Sequence, residues 1–142
     1  MITMVNFKMT RIHVNQFAIL CDSIGDKDNN IELECGLGFH ASEQCVSVSV
    51  KVMYTSTEPL MVIETICQFS ISEDSWNELV QTNGEVLLPK EFLAHLAMHT
   101  VGTVRGVLHC KTEGTQLNFL ILPPINVLDM IRQDLSLPVD RG

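Results

Sequence analysis

A chain of 142 residues is one domain's worth of polypeptide, and 46% apolar against 18% charged residues is too apolar for disorder and enough for a core. Nine Lys plus Arg against 17 Asp plus Glu leave a formal net charge of −8, which counts against nucleic acid and anionic membrane surfaces as partners. The chain is nevertheless hydrophobic on average, with a mean hydropathy of +0.21, and that excess points to oligomer contacts or an apolar binding face.

Four stretches alternate as strands. The first, from Met4 to Leu20, sets Val5, Phe7 and Met9 on one side, then changes phase after Arg11 to Ile12, Val14 and Ala18. A phase change within one strand predicts a bulge or bend. A polar loop from Asp22 to Asn30 follows. The second strand alternates Ile31, Leu33, Cys35, Leu37 and Phe39 with Glu32, Glu34, Gly36 and Gly38. In the third, Val46, Val48, Val50 and Val52 oppose Ser47, Ser49 and Lys51. The fourth, Leu60 to Ile71, puts Met61, Ile63, Cys67, Phe69 and Ile71 on one face and Val62 with Ile66 on the other. Short connections between consecutive strands predict an antiparallel meander.

Past Ser72 the period becomes helical. Ser75 with Glu78 fits a capping box and Asn83-Gly84 a stop, which predicts a short helix between them. Leu88-Pro89 opens a longer helix to about Lys111, with Leu93, Leu96, Ala97, Val101, Val104 and Leu108 as its apolar stripe. Gly102 and Gly106 within it each cost about 1 kcal/mol relative to alanine, so they predict either close approach of another backbone or a helix break. An extended piece, Gln116 to Leu122, ends at Pro123-Pro124. A last amphipathic helix carries Val127, Leu128, Ile131 and Leu135, and the tail from about Ser136 is expected to fray. Strands first and helices last predict an α+β domain: a four-stranded antiparallel sheet with helices packed on one face.

The five cysteines are scattered without a CxxC pair, and their odd number favours a reducing compartment. The first twenty residues carry Lys8, Arg11 and His13 rather than a signal peptide, and no stretch approaches the ~20 apolar residues of a membrane span. A cytoplasmic location without membrane insertion is the expectation.

For chemistry, Glu91, His95 and His99 are spaced to share one helix face, with His109 further along. Two histidines one turn apart can share a zinc ion, but HExxH is absent and no cysteine joins them. A polar helix face is the reading adopted, so no metal and no cofactor is assigned. A metal- or small-ligand-binding protein using His95 and His99 stays open as an alternative class. No GxSxG nucleophile or phosphate-cradling loop occurs, the glycines of Gly36-Leu37-Gly38 lie inside a strand, and Glu32 and Glu34 read as a solvated face. No catalysis is expected.

Several phrases, in order along nearly the whole chain, resemble SecB, the cytoplasmic export chaperone, and its relatives linked to toxin–antitoxin systems. Phe7-Lys8-Met9-Thr10-Arg11-Ile12 is similar to the family's opening strand. Val62-Ile63-Glu64-Thr65 and Phe69-Ser70-Ile71 resemble a later strand, Thr103-Val104-Arg105-Gly106 the helix segment of SecB-like members, and Leu122-Pro123-Pro124-Ile125-Asn126 its proline signature. The resemblance implies an ATP-independent chaperone that holds unfolded or precursor polypeptides for export, assembled as a homotetramer, a dimer of dimers, through the long helix. It places client contacts at Phe17, Ile19 and Ile24 near the first loop and at Val127, Leu128 and Ile131 on the last helix. Partner docking, with the export motor SecA as the candidate, falls to Val62 and Glu64, and the oligomer interface to Gly102, Arg105 and Gly106. The positions that would add acidic docking residues on the first strand are Gln16 and Leu20 here, so a SecB-like chaperone with a different delivery partner is the alternative.

Overall fold

The computed structural model describes residues 5–21 and 30–141. The four predicted strands form, as β1 (Phe7–Ile19), β2 (Glu32–Ser42), β3 (Cys45–Thr55) and β4 (Pro59–Ile71), but only β2, β3 and β4 make the expected meander, because β1 pairs with β4 rather than with β2. They pair antiparallel in the spatial order β1-β4-β3-β2. The phase change in β1 is a register shift between Met9 and Arg11, and a second shift follows between Val14 and Gln16. The second shift corrects one expectation. It turns Phe17 and Ile19 to the inner face, in register with Ile63 and Met61, and sends Ala18 to the outer face beside Val62.

The sheet does not stop at four strands. β5 (Glu85–Leu88) and β6 (Leu135–Asp140) extend it to six, in the order β1-β4-β3-β2-β6-β5. β6 pairs antiparallel with β5, and parallel with β2 through Ala41–Val139 and Ser42–Asp140, so the sheet is mixed. The tail expected to fray is therefore a strand. Leu135, Leu137 and Val139 of β6 are half-buried against the core, which gives the alternation its purpose. Ser136 donates to Glu85 at 2.8 Å, and His40 Nε2 stands 3.4 Å from Asp140 Oδ2.

Helix α1 (Glu73–Leu79) starts one turn earlier than the capping box predicts. Ser72 is its N-cap and accepts the Ser75 N–H at 3.3 Å, while the Ser75 hydroxyl accepts the Asn6 N–H at 3.1 Å and ties the start of β1 to the helix. Asn83-Gly84 sits after the helix, in the turn into β5, where Gly84 adopts φ +84°. Helix α2 (Lys90–Lys111) follows Pro89 as expected, and the Asp134 carboxylate accepts the Lys90 N–H at 2.9 Å, placing negative charge at the helix N-terminus. Its whole predicted stripe is buried, and it lies across β3 and β4. The facing valines, Val46, Val48, Val50 and Val52, are completely buried, each contributing about 1.5–3 kcal/mol.

Two expectations about the later chain fail. Residues 116–122 form turns and irregular backbone rather than an extended piece, with Leu117, Leu120 and Leu122 buried. The last helix, α3 (Val127–Met130), is a single turn, and Leu135 belongs to β6.

Under α2, the hydroxyl of Thr65 is fully buried without a hydrogen-bond partner among the described residues. An unsatisfied buried hydroxyl costs about 1–3 kcal/mol. Thr65→Val is therefore expected to raise the urea midpoint, and an unchanged or lower midpoint would mean that the hydroxyl is satisfied.

Candidate functional site

The first group of predicted client contacts converges in part. Phe17 and Ile19 are half-buried at the inner end of β1, where the end of α2 and the turn beyond it come over the strand. The Lys111 ammonium stands 5.5 Å above the Phe17 ring centroid, a cation–π contact on a partly wet ring. Beside it opens a cleft of about 600 Å³ lined by Ile19, Leu20, Cys21, Gly114, Thr115 and Gln116. Leu20 on its wall is an exposed apolar side chain. The backbone of Leu20 and Cys21 is anchored here by donation to the Leu60 carbonyl at 2.7 and 3.2 Å. Gly114 adopts φ +79°, which only glycine accepts readily, so the turn that forms the opposite wall depends on it. Ile24 lies outside the described residues.

The second predicted group does not join this cleft. Val127 and Ile131 are core residues, buried beneath α3 where that turn packs on α2. Only Leu128 is presented, at 56% exposure, and none of the three lines the cleft. Burial explains the correction: in a one-turn helix the two positions one turn apart both face α2, and the residue between them faces out. Sequence reasoning missed Phe119 and Ile121, both strongly exposed. The signal was the nearly unbroken apolar run from Leu117 to Leu122, more than one buried face can take up.

Of the two predicted docking residues, Val62 is only 3% exposed, in register with Ala18 and Met53, and does not offer its side chain. Glu64 is half-buried on the outer face, accepts the Asn15 side-chain amide, and lies in register with Gln16 and Lys51.

The predicted interface residues divide. Helix α2 is continuous through Gly102 and Gly106, which removes the break. Both glycines are exposed and a Cβ at either would meet nothing within 4 Å, so no backbone of the described residues approaches them. Arg105 is engaged within the chain itself. Its Nε donates to the Leu122 carbonyl at 2.6 Å and its Nη2 to the Pro123 carbonyl at 3.0 Å, clamping the proline segment onto α2. The same guanidinium favours the ionised form of Tyr54, although burial dominates and pushes that phenol up.

The cysteine thiols differ sharply in access. Cys67 is completely buried, and burial pushes its thiol up against hydrogen bonding by Thr100 and Thr103, which favours the thiolate. Burial also raises Cys35. Cys110 lies exposed on α2. At neutral pH a thiol reagent is expected to modify Cys110 first and Cys67 only on unfolding; rapid labelling of Cys67 in the native protein would contradict this packing.

Among the described residues no group of three His, Cys, Asp or Glu side chains converges as a metal site, and no helix is long and apolar enough to cross a membrane. No family model matches the sequence, and no curated protein matches it. The fold is similar to that of a SecB-like chaperone from Mycobacterium tuberculosis, solved in complex with a ChAD peptide from the HigA1 antitoxin, at a TM-score of 0.51 and 12% identity, over 84% of this chain and 90% of that one. At that identity the likeness concerns the fold: an α+β, SecB-like arrangement carried on a six-stranded mixed sheet.

Proposed function

We propose that this chain is a holding chaperone of the SecB-like kind, which binds unfolded or partner polypeptide and releases it without ATP. The observation that carries the reading is the fold likeness to a chaperone that binds an antitoxin peptide, joined to the cleft beside Phe17 and Ile19. Such a site works by many modest apolar contacts, which confer promiscuity rather than strict sequence reading. The net charge of −8 would favour clients with basic segments. Catalysis has no part in this reading, and a cytoplasmic location belongs to it. So does assembly into a dimer of dimers over the flat, glycine-bearing face of α2 at Gly102 and Gly106.

The test is aggregation of a chemically denatured substrate, followed by light scattering after dilution into stoichiometric amounts of this protein without nucleotide. Suppression is expected, and its absence would sink the reading. Phe17→Asp is expected to weaken suppression about tenfold while the circular dichroism spectrum stays native, since it puts a charge on the cleft-side apolar surface. Full activity in that variant would move the client site elsewhere.

Between delivery partners, one observation favours a partner other than SecA. Where the resemblance calls for acidic residues on the first strand, this outer face has Gln16 beside Glu64, with Asn15 donating to its carboxylate, and further carboxylates of the face, Glu32 and Glu34, stand two strands away on β2. Binding is therefore expected to an unfolded antitoxin-type peptide and not to SecA, measured side by side by calorimetry. Tight SecA binding that Glu64→Gln abolishes would restore the export reading.

A further inference from the structure

His95 and His99 stand one turn apart on the exposed side of α2, with ring centroids 4.9 Å apart and ring planes 28° from parallel. The phenyl ring of Phe7, at the start of β1, meets both edge-on, at 5.4 Å from His95 and 5.9 Å from His99. Phe69 adds a tilted contact to His99 at 6.5 Å, and Phe92 backs Phe7 at 5.6 Å. Two imidazoles on a solvent-exposed helix would ordinarily sample several rotamers. Here an aromatic platform contributed by a different element holds them side by side.

That spacing has a chemical meaning. A ring nitrogen sits about 2.0–2.1 Å from a bound zinc ion and an imidazole centroid roughly 1.1 Å beyond it, so two imidazoles at about 90–110° on one ion have centroids roughly 4.5–5.3 Å apart. The observed 4.9 Å falls inside that window. Ligation then needs the two rings to turn until a nitrogen of each faces the gap, with little change in where the rings sit. We propose that His95 and His99 form a two-ligand site for a divalent transition-metal ion, of the Ni²⁺, Cu²⁺ and Zn²⁺ class that imidazole suits. Hard oxygen-seeking ions such as Mg²⁺ are excluded by the donor set.

No third side chain converges on the pair among the described residues, so water completes the coordination. The ion is therefore exchangeable rather than structural in the manner of a closed four-ligand centre. Because Phe7 belongs to β1 and the ligands to α2, occupancy orders the platform that joins the sheet edge to the helix, and the folded state is stabilised by mass action.

The experiment uses the full chain without a histidine tag, with Ni²⁺ alone as the probe. In a ¹H–¹⁵N spectrum, paramagnetic broadening is expected to centre on the amides of His95 and His99 and to reach Phe7, saturating at one equivalent, with Mg²⁺ causing none. Even outer-shell partners of a metal change affinity about 10–100-fold, so His95→Gln and His99→Gln are each expected to weaken Ni²⁺ binding at least about tenfold, and His109→Gln not at all. The spectrum of each variant reports its own folding, and the measurement on the unaltered chain stands if a variant fails to fold. Broadening centred on the cysteines or on His13 or His40, no broadening, or unchanged affinity in both variants would overturn the proposal.

Discussion

Phe69→Ala is expected to destabilise the protein by about 3–5 kcal/mol, the usual cost of emptying a large aromatic site in a packed core. Domains of this size hold about 5–15 kcal/mol in total, so this one substitution takes a large fraction of it. Phe69 is completely buried on β4, in register with Met9 of β1 on one side and Val46 of β3 on the other. Its ring meets Phe7 edge-on at 5.9 Å, so truncation also removes an aromatic pair that joins β1 to the interior. Urea denaturation should record a lower midpoint at an unchanged slope. Phe69→Leu, which keeps much of the volume, should cost less than Phe69→Ala. A loss below about 1 kcal/mol for the alanine variant would mean that the site collapses freely, contrary to the close contacts drawn here.

Ending the chain at Asp134 is the second large effect. A frayed tail would be removed without consequence, but here it is β6, lying between β2 and β5. Its loss strips half-buried Leu135, Leu137 and Val139 from the core, at about 1 kcal/mol each for partial burial, and uncovers the edges of β2 and β5. The Asp134 carboxylate that caps α2 is retained, so the change isolates the strand from the cap. A stability loss of about 3 kcal/mol, with increased aggregation on warming, is the expected result. A truncated chain with the full-length denaturation midpoint would return these residues to a dispensable tail.

The part of the fold that was legible in the sequence is the part in which one side-chain pattern corresponds to one local geometry. Val46 to Val52 alternate without exception, and a completely buried face resulted. The stripe from Leu93 to Leu108 has helical spacing over several turns, and α2 followed it. The sixth strand was not legible, for two reasons. Pro138 lacks the N–H that a central ladder uses, which argues against a strand unless only part of it is paired. Its partner β5 has only four residues and lies some fifty positions earlier, so nothing local announces the pairing. Val127, Leu128, Ile131 and Leu135 fit a helical period equally well, and tertiary pairing settled the matter in favour of a strand for the last of them.

At the candidate site the balance is similar. Phe17 and Ile19 share a face by strand periodicity, but they face inward because of a register shift that their neighbours Val14 and Gln16 do not advertise. Arg105 was assigned to an interface on the family resemblance, which places assembly on the long helix. Its actual acceptors are the carbonyls of Leu122 and Pro123, and a backbone acceptor leaves no trace in residue type. The His95–His99 spacing was visible at once, but the Phe7 platform beneath it joins residues nearly ninety positions apart and required the packing of β1 against α2.

The two register shifts in β1 bear on what the terminal strand of the sheet can recruit. Among the described strands β1 pairs only with β4, so thirteen residues of main chain stand at the rim. An uninterrupted rim of that length would be a template on which further strands could stack without limit. The shifts cut it into Phe7–Met9, Arg11–Val14 and Gln16–Ile19, each too short to zip a long segment in continuous register. Lys8 and Arg11 place positive charge along the first two runs of a molecule that is otherwise strongly acidic. Extended chain laid against this rim would pair over only a few residues before losing step, which works against fibre growth.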